Sequence, residues 1–252
     1  MFWIRKVHKW ASVIVGIQLL LWLISGLYFN LMDHNKAQGL SYRSDAHAVV
    51  AVDTHRLVEP KMVLGAFKPS VSLNLITLLD KPYYLLTHEK GLYKHLRHDY
   101  TLVNAYQGKP VLIDVEFAQR LARDSYSGEA QISSTHLLIP PLDDFPKQQN
   151  DTWQINFADD IVTSVYIEAQ SGRLVGHSDE HKRLAEVFFM LHFMDYFNEG
   201  GFNNIPIKIF AFITLWLTFS GFIWVIDMLK RHKYRPKWKP KSALSTRETT
   251  LN

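Results

Sequence analysis

The sequence predicts an α+β membrane protein in which two transmembrane helices bracket an extracytoplasmic region of two tandem units, each a helix plus an antiparallel hairpin. Three observations carry this reading. Two long apolar runs lie near the two ends of the 252-residue chain, basic residues gather on the outer flank of each run, and a strand-and-turn pattern recurs 64 positions apart between them.

The first run, residues 11–32, contains no charge. At about 1.5 Å per residue it makes a helix of roughly 33 Å, enough for a bilayer core of about 30 Å. The second uncharged run, residues 209–226, extends to a span over 205–227, because the Lys208 ammonium can snorkel toward the headgroups. Trp3, Trp10 and Tyr28 flank the first run and Trp224 lies near the inner end of the second, as interfacial aromatics do. Tyr28-Phe29-Asn30-Leu31-Met32 is bulky where a signal peptidase needs small residues, so the first span is expected to stay as an anchor.

The net charge of +4 is unevenly distributed. Arg5, Lys6 and Lys9 put +3 ahead of the first span; eight basic residues against Glu248 put +7 after Asp227; the rest of the chain carries −6. Flanks rich in Lys and Arg stay in the cytoplasm, so residues 1–10 and the basic tail 228–252 are expected inside and residues 33–204 outside. The expected location is a bacterial inner (plasma) membrane, crossed twice, with a periplasmic or extracellular centre. The tail, with Trp238 among alternating Lys and Pro, is expected to lie along anionic headgroups. Because the basic residues flank apolar segments and do not cover a folded domain, the partner they indicate is a lipid bilayer and not nucleic acid. The chain has no cysteine, which excludes disulfides, iron–sulfur clusters, thiolate zinc sites and covalently attached c-type haem.

Between the spans, short alternating runs punctuated by Gly, Pro and Asp indicate strands with at least one helix. The strand ending in Ala105-Tyr106-Gln107-Gly108-Lys109 recurs as the strand ending in Ala169-Gln170-Ser171-Gly172-Arg173, and each glycine suits a turn position of positive φ. Residues 81–87 and 151–157 are the partner strands expected to precede them. Residues 115–123 place their apolar side chains on one helical face, with a weaker counterpart near 59–67. The units therefore span residues 33–112 and 113–180. Residues 181–204 are expected to form a connector whose amphipathic segment, 184–197, lies on the outer membrane face and returns the chain through Gly200-Gly201.

A strand, a second strand and an Ala-x-x-Gly-[Lys/Arg] turn, held outside the membrane between two spans, resembles the PepSY domain and the PepSY-associated transmembrane family. Arg5-Lys6-Val7-His8-Lys9-Trp10, running through to Leu23-Ile24-Ser25-Gly26-Leu27, is similar to that family's opening span. Leu191-His192-Phe193, followed by Gly200-Gly201 and Phe219-Ser220-Gly221-Phe222-Ile223-Trp224, is similar to its closing span. The likeness covers nearly all of the chain up to Lys230. It departs at the hairpin turns, where Tyr106-Gln107 and Gln170-Ser171 replace the usual Asp and Thr, and in having two spans where larger members have four.

Larger members are associated with ferric-siderophore reduction through b-type haem, so the resemblance makes His8, His34 and His192 candidate haem ligands. His8 and Met32 are about 24 residues apart, roughly 36 Å of helix, which puts His8 and His192 in opposite leaflets and prevents them from sharing one iron. Two axial ligands per iron would come from His34 opposite His192 on the outer side, and from two copies of His8, or His8 and a partner's histidine, on the inner side. Interfacial anchoring of His8 beside Lys9 and Trp10, and a hydrogen bond from His192 to a backbone carbonyl or to Asp195, are alternative roles.

Other candidates carry less. His177 and His181 stand four apart, a spacing that meets on a helix but lacks a carboxylate motif. His95 and His98, beside Lys94 and Arg97, read as a solvated basic loop, and Asp143-Asp144 and Asp159-Asp160 as turn acids. No nucleophile motif, phosphate loop or dinucleotide fingerprint occurs, so no catalytic residue and no metal site are expected. The first expectation for function is a non-enzymatic binding, assembly or regulatory subunit with a protein partner or a homodimer. The second is a haem-dependent reductase component, and the third, by analogy with PepSY modules of protease propeptides, a peptidase inhibitor.

Overall fold

The two apolar runs fold as helices longer than the runs themselves, α1 (Phe2–Leu31) and α6 (Ile205–Lys230). Their most apolar windows are only 17% and 6% buried, so neither is wrapped by protein as the core helix of a soluble domain is. By length and composition each can cross a bilayer. The structure, a computed structural model, describes residues 2–44, 51–89, 97–197 and 203–230. The basic tail beyond Lys230, the Gly200-Gly201 connector and His95 lie outside the described residues. The chain divides into two compact units, Met1–Gln18 with Lys208–Asn252, and Leu19–Ile207.

The second of these units is α+β. After α2 (His34–Ala37) and a 3₁₀ turn at Thr54–Arg56 come α3 (Pro60–Ala66) and the antiparallel strands β1 (Ser72–Leu78), β2 (Lys81–Glu89), β3 (Asp99–Asn104) and β4 (Pro110–Val111), in that spatial order. Then come α4 (Val115–Ser125) and a second antiparallel sheet, β5 (Ile132–Leu138), β6 (Thr152–Phe157), β7 (Ser164–Glu168) and β8 (Leu174–Ser178), again in order. Each copy is thus a helix followed by a four-stranded meander, and the expected hairpins are its two central strands. The repeated turn is the same in both. Gly108 (φ 68°) donates its N–H to Asn104 O at 2.8 Å, and Gly172 (φ 71°) donates to Glu168 O at 3.0 Å. Both φ values lie in the left-handed region, where a Cβ clashes with the backbone.

Side chains alternate across the first sheet because successive Cβ atoms leave opposite faces. Tyr84, Leu86 and Val103 pack with Val63 of α3 on one face, which is why the short α3 forms. Tyr83 and Leu102 point the other way into a larger core with Phe117, Ala118, Leu121 and Ala122 of α4 and Ile155, Phe157, Val165 and Ile167 of the second sheet. Helix α4 starts where the Asp114 carboxylate accepts the Phe117 N–H at 2.8 Å, and it presents its apolar stripe to this shared core. At about 1.5–3 kcal/mol per large side chain buried, this core is the main stabilising term of the unit.

Helix α5 (Glu180–Phe193) is capped by Asp179, whose carboxylate accepts the Lys182 N–H at 2.8 Å, and it ends at Met194 in the left-handed conformation. The segment expected on the outer membrane face runs antiparallel along the last three turns of α1. Tyr28 stacks on Phe188 with ring centroids 3.9 Å apart, Phe29 meets Phe189 at 4.6 Å, and His192 reaches back to Ser25. Interlocking aromatic rings along both helices fix this course, which the amphipathic pattern of α5 alone does not reveal. Asn204 then receives the chain: its amide donates to Phe193 O at 2.8 Å, and its Oδ1 accepts the Ile207 N–H at 2.9 Å to cap α6.

Candidate functional site: two clamped histidines

On α6, Trp216, Ser220 and Trp224 recur at i, i+4 and i+8 and so share one face. His8 of α1 lies against that face, half-buried. Its Nδ1 is 3.0 Å from Ser220 Oγ, and its ring centroid is 6.3 Å from that of Trp216 and 6.1 Å from that of Trp224. The Ser220 hydroxyl donates to Leu217 O at 3.0 Å, so its oxygen is left to accept from the imidazole. This assigns the proton of neutral His8 to Nδ1 and the lone pair to Nε2.

His192 is held in the same way within the other unit. On α1, Trp22, Ser25 and Phe29 share a face, and Ser25 is buried. Ser25 Oγ lies 2.8 Å from His192 Nδ1 and donates its own proton to Leu21 O at 2.7 Å. The Trp22 and Phe29 rings flank the imidazole at 6.1 Å and 5.3 Å. Again Nδ1–H donates and Nε2 keeps its lone pair. Among the described residues, neither Nε2 makes a hydrogen bond. A serine that orients an imidazole through Nδ1 while leaving Nε2 open is the arrangement an iron ligand needs, because the second ring nitrogen fixes tautomer and direction. It is equally a polar tie between helices, each hydroxyl satisfying a ring nitrogen where water is scarce.

The third candidate, His34, opens α2 and is exposed, five residues beyond Phe29. Among the described residues no ring contact joins it to His192. Asp33 caps α2, and the Lys36 and Asn35 backbone N–H groups hold its carboxyl below the ordinary range. The four-residue spacing of His177 and His181 does not become a helical pair, because His177 belongs to β8 and His181 to α5. Among the described residues no cluster of three metal-binding side chains forms.

Several ionisable groups of the two sheets are tied into internal hydrogen bonds. Asp159 accepts the Tyr126 hydroxyl at 2.8 Å and the Thr163 N–H at 2.9 Å, as a turn acid does, and burial with the Asp159 bond pushes the Tyr126 phenol up. Burial works to raise Asp144, yet the Arg183 and Tyr166 donors hold its carboxyl below the usual range. Glu168, buried, accepts from Gln148 Nε2 at 3.0 Å, Arg173 at 3.2 Å and the Ser171 hydroxyl. His177 is 2% exposed, its Nε2 3.0 Å from Ser125 Oγ. Burial, then the charge of Arg43, push its pKa down to about 4.

The sequence reading singled out the histidines and missed what holds them. One signal was present: a Ser-Gly dipeptide occurs once in each apolar run, at Ser25-Gly26 and Ser220-Gly221, with an aromatic residue one turn to either side. Compared with known proteins, the chain matches no family model, no curated protein and no solved structure.

Proposed function

We propose that this chain is a PepSY-type subunit anchored in a bacterial plasma membrane by α1 and α6, with both ends in the cytoplasm, and that its outer two-sheet region binds a protein partner in assembly or regulation. The observation that carries this reading is the bonding of three acids of that region. Asp144, Asp159 and Glu168 each accept several internal hydrogen bonds, which fits a scaffold that presents surfaces. Purification of the full chain in mild detergent tests it. Recovery with a stoichiometric protein companion, a second copy included, is expected, and recovery as a lone monomer contradicts it.

A second reading is favoured by the tautomer of the two clamped histidines. With Nδ1 donating to Ser220 and to Ser25, the Nε2 lone pairs of His8 and His192 are the groups that would hold b-type haem, which supplies one-electron transfer when bound. Each clamp presents one imidazole, and a second axial ligand would come from another chain. The clamps themselves orient the rings, shield them with indole and phenyl faces and fix the ring proton. Expression with haem available and a visible spectrum of the purified chain decide the matter. A Soret band that weakens in His8→Ala and in His192→Ala supports electron transfer, and its absence in the wild type contradicts it.

A further inference from the structure

Two open sheets have four edges, and three of them are blunted. β4 is two residues long and begins with Pro110. β5 carries an irregularity between Ile132 and Ser134 and runs into Pro140-Pro141. β8 is covered by Gly39, whose approach is so close that a Cβ there would lie 2.6 Å from His177 O. These are the devices by which proteins keep strand edges from pairing.

β1 has none of them. It pairs with β2 in unbroken register over all seven residues, from Ser72↔Thr87 to Leu78↔Lys81. Its sequence, Ser-Leu-Asn-Leu-Ile-Thr-Leu, holds no charge and no proline, and from Pro69 to Leu79 the chain is uncharged. Among the described residues nothing pairs with its outer edge. Apolar side chains are left open beside that edge, Leu75 being 45% and Val71 65% exposed.

We propose that the outer edge of β1 is where a second copy of this chain docks, the two β1 strands pairing antiparallel about Leu75 so that two four-stranded sheets become one of eight. An unpaired row of N–H and C=O groups is completed by another strand, and this strand complements itself. In the Leu75-centred register Leu75 meets Leu75, Asn74 faces Ile76 and Leu73 faces Thr77, so no charge enters the ladder and the exposed leucines cover one another. Lys68, paired with Asp99 of its own chain, and the oppositely charged neighbours Asp80 and Lys81 lie beyond the ends of the ladder, so no like charges are opposed within it. A twofold of this kind is closed and adds no further copies. The inference deepens the binding reading above by naming the surface and its occupant, and it rests on that reading. It does not depend on haem.

Because the chain has no cysteine, Leu75→Cys introduces a single thiol. Directly opposed residues of an antiparallel pair have Cα atoms about 4.5–5.5 Å apart, within the reach of a disulfide. Mild oxidation of membranes holding full-length Leu75→Cys is expected to give a disulfide-linked dimer, while Leu137→Cys on the irregular edge β5 stays monomeric. Asn74→Lys, at an exposed position, is expected to abolish the Leu75→Cys cross-link and to shift the detergent-solubilised wild-type background from dimer to monomer. No cross-link at position 75, equal cross-linking at 137, or a dimer that survives Asn74→Lys overturns the proposal. Capture of a different polypeptide at position 75 overturns it too, while the binding reading stands. A lone monomer in every experiment removes both.

Discussion

In the first sheet the turn glycine Gly108 faces open space relieved only by Val58, 3.6 Å from where a Cβ would sit; in the second its counterpart Gly172 is pressed between Leu78, Ile113 and Leu121 at 2.9, 3.1 and 3.4 Å. The same offset of 64 relates Asn104, which caps its own turn through the Tyr106 and Gln107 N–H groups, to Glu168, which anchors a buried network. It also relates the apolar Ile113 to the buried His177. Across the two copies the backbone demand of the turn is held constant while the side chains around it take different work. The second copy is sealed by polar networks and by α5. Among the described residues, the first keeps an open edge at β1.

The sharpest way to separate the copies is to add one methyl to each turn. Gly172→Ala combines a positive φ with contacts below van der Waals distance, and a loss of about 3–4 kcal/mol is expected, whereas Gly108→Ala should lose about 1–2 kcal/mol, mostly backbone strain. Unfolding of the full chain in detergent measures both, and equal losses would erase the distinction drawn between the turns.

Acid should act through the second copy. The folded-state pKa of His177, about 4, lies below the ordinary 6.5, so the unfolded chain binds more protons between these values. Stability is full above about pH 6.5 and falls as pH drops toward 4, by about 3 kcal/mol for this group alone. Replacing it with a non-titrating side chain, His177→Gln, is expected to flatten that slope. A slope unchanged in the variant would assign the acid sensitivity elsewhere.

Smaller effects sharpen the comparison further. Glu168→Ala removes the shared acceptor of Gln148, Arg173 and Ser171 and should cost about 2 kcal/mol, while Asn104→Ala at the matching position should cost about 1 kcal/mol. Smallest and opposite in sign is Asp80→Gly. The two-residue β1–β2 turn holds Leu79 at φ 47° and Asp80 at φ 62°, and glycine at the exposed second position should raise stability by about 1 kcal/mol. A melting temperature that drops in Asp80→Gly would show that the turn is not strained.

How much of this was legible in the chain depends on the range of the interaction. The apolar runs, the amphipathic stripe of α4 and the positive φ of Gly108 and Gly172 are local, and the sequence displays each directly. Partner strands were found where they adjoin the repeated turn, but the flanking strands β1 and β5 were not, because their edge positions mix exposed leucines with polar residues. The clamps were illegible for a different reason. Ser220 lies 212 positions from His8 and Ser25 167 positions from His192, and the course of α5 along α1 rests on aromatic contacts at similar separation. His34 lies beside the first span in sequence and at the exposed start of α2 in space.

Everything proposed about orientation reduces to whether the chain crosses a bilayer at α1 and again at α6. Single-cysteine variants on this cysteine-free background report it directly, with Glu129→Cys at an exposed position of the second sheet unit and Lys9→Cys at an exposed position near the start of α1. Labelling of Glu129→Cys by a membrane-impermeant maleimide in intact cells, with Lys9→Cys labelled only after permeabilisation, is the expected result. Labelling of Lys9→Cys from outside, or recovery of the chain in solution without detergent, would contradict it.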